Sequence, residues 1–124
     1  MDVLLIATGW KQRALIRAQL IEEGFDVMAV ETSDEGELLL SRGAARPRAV
    51  VLALEEDDHP AATLTAMIRL VPDEQLIVLT AAGALSEDRA RAIGATHVIA
   101  RPYDIAAVVG AVRDVVKLTR NAIS

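Results

Sequence analysis

Five short apolar runs recur at even spacing along this chain: Val3 to Ile6, Val27 to Val30, Ala49 to Leu54, Leu76 to Thr80 and Val98 to Ala100. Each is continuous. A strand with one wet face alternates apolar and polar residues, whereas a strand covered on both faces does not. Runs of this length, rich in Val and Ile, therefore predict parallel strands inside a layered domain. Parallel strands need crossover connections, so the segments between the runs must supply helices.

Those segments carry helix signals of differing quality. Lys11 to Glu23 is full of helix formers and stops at Gly24, but its apolar residues spread around the wheel, so propensity and length alone predict the helix. Thr32 to Asp34 offers several caps before Glu37 to Leu40, with a stop at Gly43. Pro60 suits a first helical position; Leu64, Met67, Ile68 and Val71 then share one face before Pro72 ends the run. Ser86 followed by Glu87 and Asp88 marks another N-terminus, with Gly94 as its stop. Asp104 caps a final helix whose Ile105, Val108, Val109, Val112, Val115 and Val116 trace an apolar stripe. Residues 119–124 read as fraying helix or the start of a connection.

At 124 residues the expectation is one domain spanning 1–124. The alternation predicts an α/β, doubly wound, flavodoxin-like sheet of five parallel strands in the order 2-1-3-4-5 with five helices. Such sheets carry their sites at the carboxyl ends of the strands, here Ala7-Thr8, Ala53-Leu54, Thr80-Ala81 and Arg101-Pro102.

Composition removes several classes of function. There is no cysteine, hence no disulfide framework and no thiolate metal site. The net charge of −5 comes from interspersed acids and bases with no basic block, which argues against a nucleic-acid surface. Trp10, Phe25 and Tyr103 are the whole aromatic set, too few for base stacking. The N-terminal apolar run has an acid where a secretory signal wants bases and is too short to span a bilayer. The expectation is a soluble cytoplasmic protein with no membrane role.

Four stretches resemble the response-regulator receiver (CheY-like) family: Glu22-Glu23-Gly24-Phe25-Asp26-Val27, Arg46-Pro47 through Leu54, Leu76 through Ala81, and Gly94 through Asp104. The resemblance covers nearly the whole chain, in order and properly spaced. It implies a phosphoacceptor aspartate closing the third strand, where this chain has Ala53. Two Mg²⁺-binding acids would follow the first strand, where Ala7 and Thr8 stand. The family's lysine is Arg101, which keeps the charge but not the geometry, and its reporter aromatic is Val98. Thr80 alone is retained. The resemblance thus points to a pseudo-receiver without aspartate chemistry.

Other features admit two readings. Glu55-Glu56-Asp57-Asp58 are either a displaced acidic centre or a solvated acidic loop, and the loop is favoured because no acids after the first strand support a metal. Arg101 pairs with Glu55 or Glu56, binds an anion, or covers apolar neighbours with its stem. Trp10 is expected in the first loop, folded over the space that Ala7 and Ala53 leave rather than acting as a ligand lid, with an interface anchor as a further reading. His59 and His97 share no ligand spacing, and Thr8-Gly9-Trp10-Lys11 has no phosphate-loop spacing.

The functional expectation is a phosphorylation-independent signalling module of two-component type, acting through a protein partner or a homodimer. It is not an enzyme and uses no cofactor and no metal. The outward face of the last helix, Ala107, Gly110, Ala111 and Leu118, is the expected contact surface. The alternatives are a small-ligand or anion sensor using Thr8, Thr80 and Arg101, and a phospho-receiver using a displaced acid after the third strand.

Overall fold

The computed structural model describes residues 1–123. Its elements run β1 (Val3–Ala7), α1 (Trp10–Glu22), β2 (Val27–Val30), α2 (Ser33–Ser41), β3 (Ala49–Ala53), α3 (Pro60–Leu70), a 3₁₀ turn (Asp73–Gln75), β4 (Leu76–Thr80), α4 (Glu87–Ile93), β5 (His97–Ala100) and α5 (Ile105–Ile123). The five strands form one parallel sheet in the order β2-β1-β3-β4-β5. That is the doubly wound flavodoxin-like topology.

The continuous runs are explained by a core on each face of the sheet. Successive strand residues point to opposite sides. Val3, Leu5 and Ala7 of β1 pack with Val51, Ile77 and Leu79 beneath α1 and α5. Leu4 and Ile6 join Leu52, Val78, Leu64 and Met67 on the side of α2, α3 and α4. Every residue of β1, β3 and β4 is buried. Burying each large aliphatic side chain contributes about 1.5–3 kcal/mol, so the middle three strands carry much of the stability. On the α2 side a Cβ at Gly36 would collide with Ile6, so glycine lets that helix approach the sheet.

The expected caps form. Thr32 Oγ1 accepts from the Glu35 N–H at 3.1 Å, Ser86 Oγ from Arg89 at 3.2 Å, and Asp104 Oδ1 from Ala107 at 3.0 Å. Gly43 and Gly94 end their helices with φ of +68° and +132°. Leu54 falls just outside β3, yet its N–H still reaches the Leu79 carbonyl at 2.8 Å.

Two expectations need correcting. Trp10 is not a loop residue: Gly9 is the extended cap and Trp10 opens α1. Ala111 does not lie on a free outer face of α5, because it packs against the core with Val108, Val112 and Val115. Ala107 is exposed, Leu118 is 61 % exposed, and a Cβ at Gly110 would meet nothing. Residues 119–123 continue α5. There Thr119 donates to the Arg48 carbonyl at 3.2 Å, and Arg120 lies 3.6 Å from Asp2. Ser124 lies outside the described residues.

Candidate functional site

The crevice at the carboxyl ends of the strands is built on two alanines. Ala7 closes β1 and Ala53 closes β3, paired in register and both buried. Neither carries a side-chain oxygen. Thr8 follows β1 and lines an open cleft of ≈ 430 Å³ with Asp34, Glu37, Glu56, Asp57 and His59. A second cleft, ≈ 530 Å³, is lined by Trp10, Lys11, Gln12, Glu55, Ala81 and Arg101.

A guanidinium group stands at the carboxyl end of β1. Arg13, in the first turn of α1, turns back to donate to the carbonyls of Ala7 at 2.8 Å and Thr8 at 3.2 Å. Its other nitrogen lies 3.9 Å from Glu31, after β2. Among the described residues no group of three or more acids or histidines converges to hold a metal. The donor set at Ala7, Thr8 and Ala53 does not fit Mg²⁺, which needs hard oxygen ligands with charge to offset its own.

Glu55 is the hub of the crevice. Its side chain is only 6 % exposed, and it forms an ion pair with Arg101, which follows β5. Gln12 Nε2 donates to Glu55 Oε1 at 2.6 Å and to the Tyr103 hydroxyl at 2.7 Å. Tyr103 in turn donates to Glu55, with its two oxygens at 3.0 and 3.1 Å. Gln12 has two amide protons and Tyr103 one hydroxyl proton, so every donor is used. Burial, and then the neighbouring Glu55 charge, push the Tyr103 hydroxyl up to about 12. The hydrogen bond to Glu55 likewise holds the Arg101 guanidinium above its ordinary value. Arg101 also lies over the Tyr103 ring, 5.3 Å from its centroid.

The remaining acids of the loop after β3 have local roles. Asp57 Oδ1 accepts from the His59 N–H at 2.7 Å and from the Thr63 hydroxyl at 3.1 Å, organising the start of α3. Glu56 is exposed and lies over Gly9, where a Cβ would clash with it.

Thr80 is fully buried, and its hydroxyl donates to the Leu85 carbonyl. It braces the β4–α4 loop, Thr8 lines the first cleft and Arg101 the second, so these three do not converge on one ligand. Val98, half-buried on the edge strand β5, pairs with Val78 of β4. Trp10 does not fill the crevice: it is 66 % exposed, with Lys11 Nζ 5.7 Å from its ring centroid. His97 begins β5 at the opposite end of the sheet from His59, which precedes α3, so they form no pair.

Gln12, Arg13 and Tyr103 were missed as site residues by sequence reasoning. Their signal was positional: residues in the first turn after β1, and in the loop after β5, face the switch point of such a sheet.

No family model matches the sequence, and no curated protein aligns with it. Solved structures do. A response-regulator receiver domain protein from Clostridium thermocellum superposes with a TM-score of 0.80 at 18 % identity, covering 98 % of each chain. A receiver protein from Sinorhizobium medicae gives 0.78 at 16 % identity, with 96 % of both chains covered. The receiver domain of a Francisella response regulator gives 0.77 at 18 %, covering 95 % of this chain and 98 % of its own. The fold is the receiver fold. Within it, Ala7 and Ala53 close β1 and β3 with Thr8 directly after β1, and Glu55 and Arg101 face each other across the crevice. No helix among the described residues is long and apolar enough to cross a membrane.

Proposed function

We propose that this chain is a receiver-like module of two-component-type signalling that acts by protein–protein contact, without phosphoryl transfer, metal or catalysis. The observation that carries the reading is the in-register pair Ala7 and Ala53. A methyl group offers no nucleophile, so an acyl phosphate cannot form at that position. The acids of the following loop do not supply a substitute. Glu55 is engaged by Gln12, Tyr103 and Arg101, and Asp57 by His59 and Thr63. The Glu55–Arg101 pair gives the crevice an internal charge balance that needs no incoming phosphate.

Acetyl phosphate with Mg²⁺ tests this directly, read by intact mass and by amide NMR shifts. The expected result is an unchanged mass and unchanged spectra, with beryllofluoride equally silent. Mg²⁺-dependent addition of one phosphoryl group would overturn the reading in favour of a displaced acceptor. Saturable thermal stabilisation by a small anion would favour a ligand sensor instead, because a ligand bound only by the native state stabilises it by mass action.

A further inference from the structure

The charges of α1 run against its own dipole. A helix favours acids in its first turn and bases in its last. Here the first turn has no acid and the last turn no base. Lys11 and Arg13 stand at the start instead, and Glu22 and Glu23 at the end. Two of the four are explained within the chain: Arg13 caps the end of β1, and Glu23 pairs with Arg113 at 2.8 Å. Lys11 and Glu22 remain, both exposed and without an ion-pair partner among the described residues, Lys11 having only the Trp10 ring, 5.7 Å from its Nζ.

Between those charges the face is apolar, with exposed Arg17 along its Trp10 edge. Trp10 is 66 % exposed, Leu15 57 % and Ile21 44 %, with Ala14 and Ala18 exposed between them. At about 3.6 residues per turn, Ala14, Ala18 and Ile21 form one stripe, with Lys11 at its start and Glu22 at its end. The inward side of the helix is satisfied separately by Ile16 and Leu20, which are fully buried. By contrast, among the residues of α5 whose burial is described, Leu118 is the one large apolar side chain exposed.

A charge order of this kind is self-complementary when the helix is turned end for end. We propose, resting on the reading of this domain as a contact module, that α1 packs antiparallel against α1 of a second copy across a two-fold axis between Ala14 and Ala18. Ala14 of each copy meets Ala18 of the other, and the small side chains let the helices approach closely. Lys11 meets Glu22 of the other copy twice by symmetry, and the two dipoles oppose. Trp10 lies over Ile21 of the other copy as the apolar anchor, a residue type enriched at the centre of interface energetics. The contacts that are unfavourable within one helix thus become favourable between two.

Sedimentation equilibrium on the wild type, K11E, E22K and the double variant K11E/E22K tests the arrangement. The wild type is expected to dimerise, and each single variant to weaken dimerisation by about tenfold or more. The double variant should recover it. An equimolar mixture of the two single variants should also recover it, as a mixed dimer. Both single changes put charges where a lone helix prefers them, so monomer melting temperatures should not fall, which separates lost association from lost folding. A wild type that stays monomeric at high concentration overturns the proposal, and so do single variants that dimerise as the wild type does. Acetyl phosphate response is read on the same samples, so a failed interface and a failed phosphate-free reading give different results.

Discussion

Ala7 and Ala53 stand side by side at the carboxyl ends of β1 and β3, buried to 0 % and 5 % exposure. Two methyl groups meet there, with no carboxylate at either strand end. The polar contacts of the crevice lie one loop further out, at Glu55 and the three side chains that hold it.

Introducing one carboxylate at this pair should therefore not create a phosphoacceptor. Ala53→Asp adds a buried acid with no metal-binding partners after β1. Its cost is expected to be at least about 1–3 kcal/mol of stability, as for a buried polar group without compensation. Denaturant titration should show a lower midpoint with an unchanged slope, and acetyl phosphate should leave the mass unchanged. A stable, phosphorylated variant would contradict both expectations.

The Tyr103 hydroxyl reports on Glu55. Its titration point lies near 12, up from the ordinary tyrosine value of 10.0. It is the one tyrosine in the chain, so an ultraviolet titration is unambiguous. Glu55→Gln removes the charge, and the titration should move back towards the ordinary value. The sign for stability follows. A raised pKa means the folded state holds its proton longer than the unfolded state, so this contribution is complete below pH 10.0 and lost between there and about 12. The Gln variant should lose less stability across that window. An identical Tyr103 titration in both proteins would remove Glu55 as a cause.

Thr80 braces a loop. Thr80→Val keeps the shape but leaves the Leu85 carbonyl without its donor, at an expected cost of about 1–3 kcal/mol. Hydrogen exchange should quicken at Ala84 and Leu85, whose N–H groups close the turn onto Ala81 at 2.9 and 3.0 Å. Unchanged exchange would mean that the hydroxyl does not hold the loop.

Gly110 sits in mid-helix with open space where a Cβ would go. Gly110→Ala should stabilise the monomer by about 0.5–1 kcal/mol, since glycine loses more backbone freedom on folding. If a neighbouring backbone packs closely there, the same change weakens association instead. Chemical denaturation and sedimentation on one sample distinguish the two outcomes.

The sheet was legible in the sequence because burial on both faces leaves a pattern that few other structures produce. Val3 to Ile6 and Leu76 to Thr80 needed no context. The caps at Thr32, Ser86 and Asp104 were legible for a similar reason: each acts within three residues of itself. Gln12 was not legible as a site residue, because its partners lie 43 and 91 residues away. No local pattern marks such a contact. Trp10 was misjudged because an aromatic after a glycine reads equally well as loop or as helix start. Its exposure depends on where α1 points, which the sheet decides.

The pairing of Arg101 with Glu55 also bears on what a lineage carrying this chain can reach by single substitutions. An acid introduced at position 7 or 53 enters a buried site with no metal partners, and one at position 8 lies beside Glu56, Asp57 and Asp58 along the same cleft. A lysine at 101 exchanges a guanidinium that stacks on Tyr103 for a point charge. Each step towards a carboxylate-lined crevice is thus disfavoured alone and useful only in company with the others. A population drifting through sequence space meets a barrier in that direction. The buried end of this sheet acts as a ratchet, holding the residues it now has.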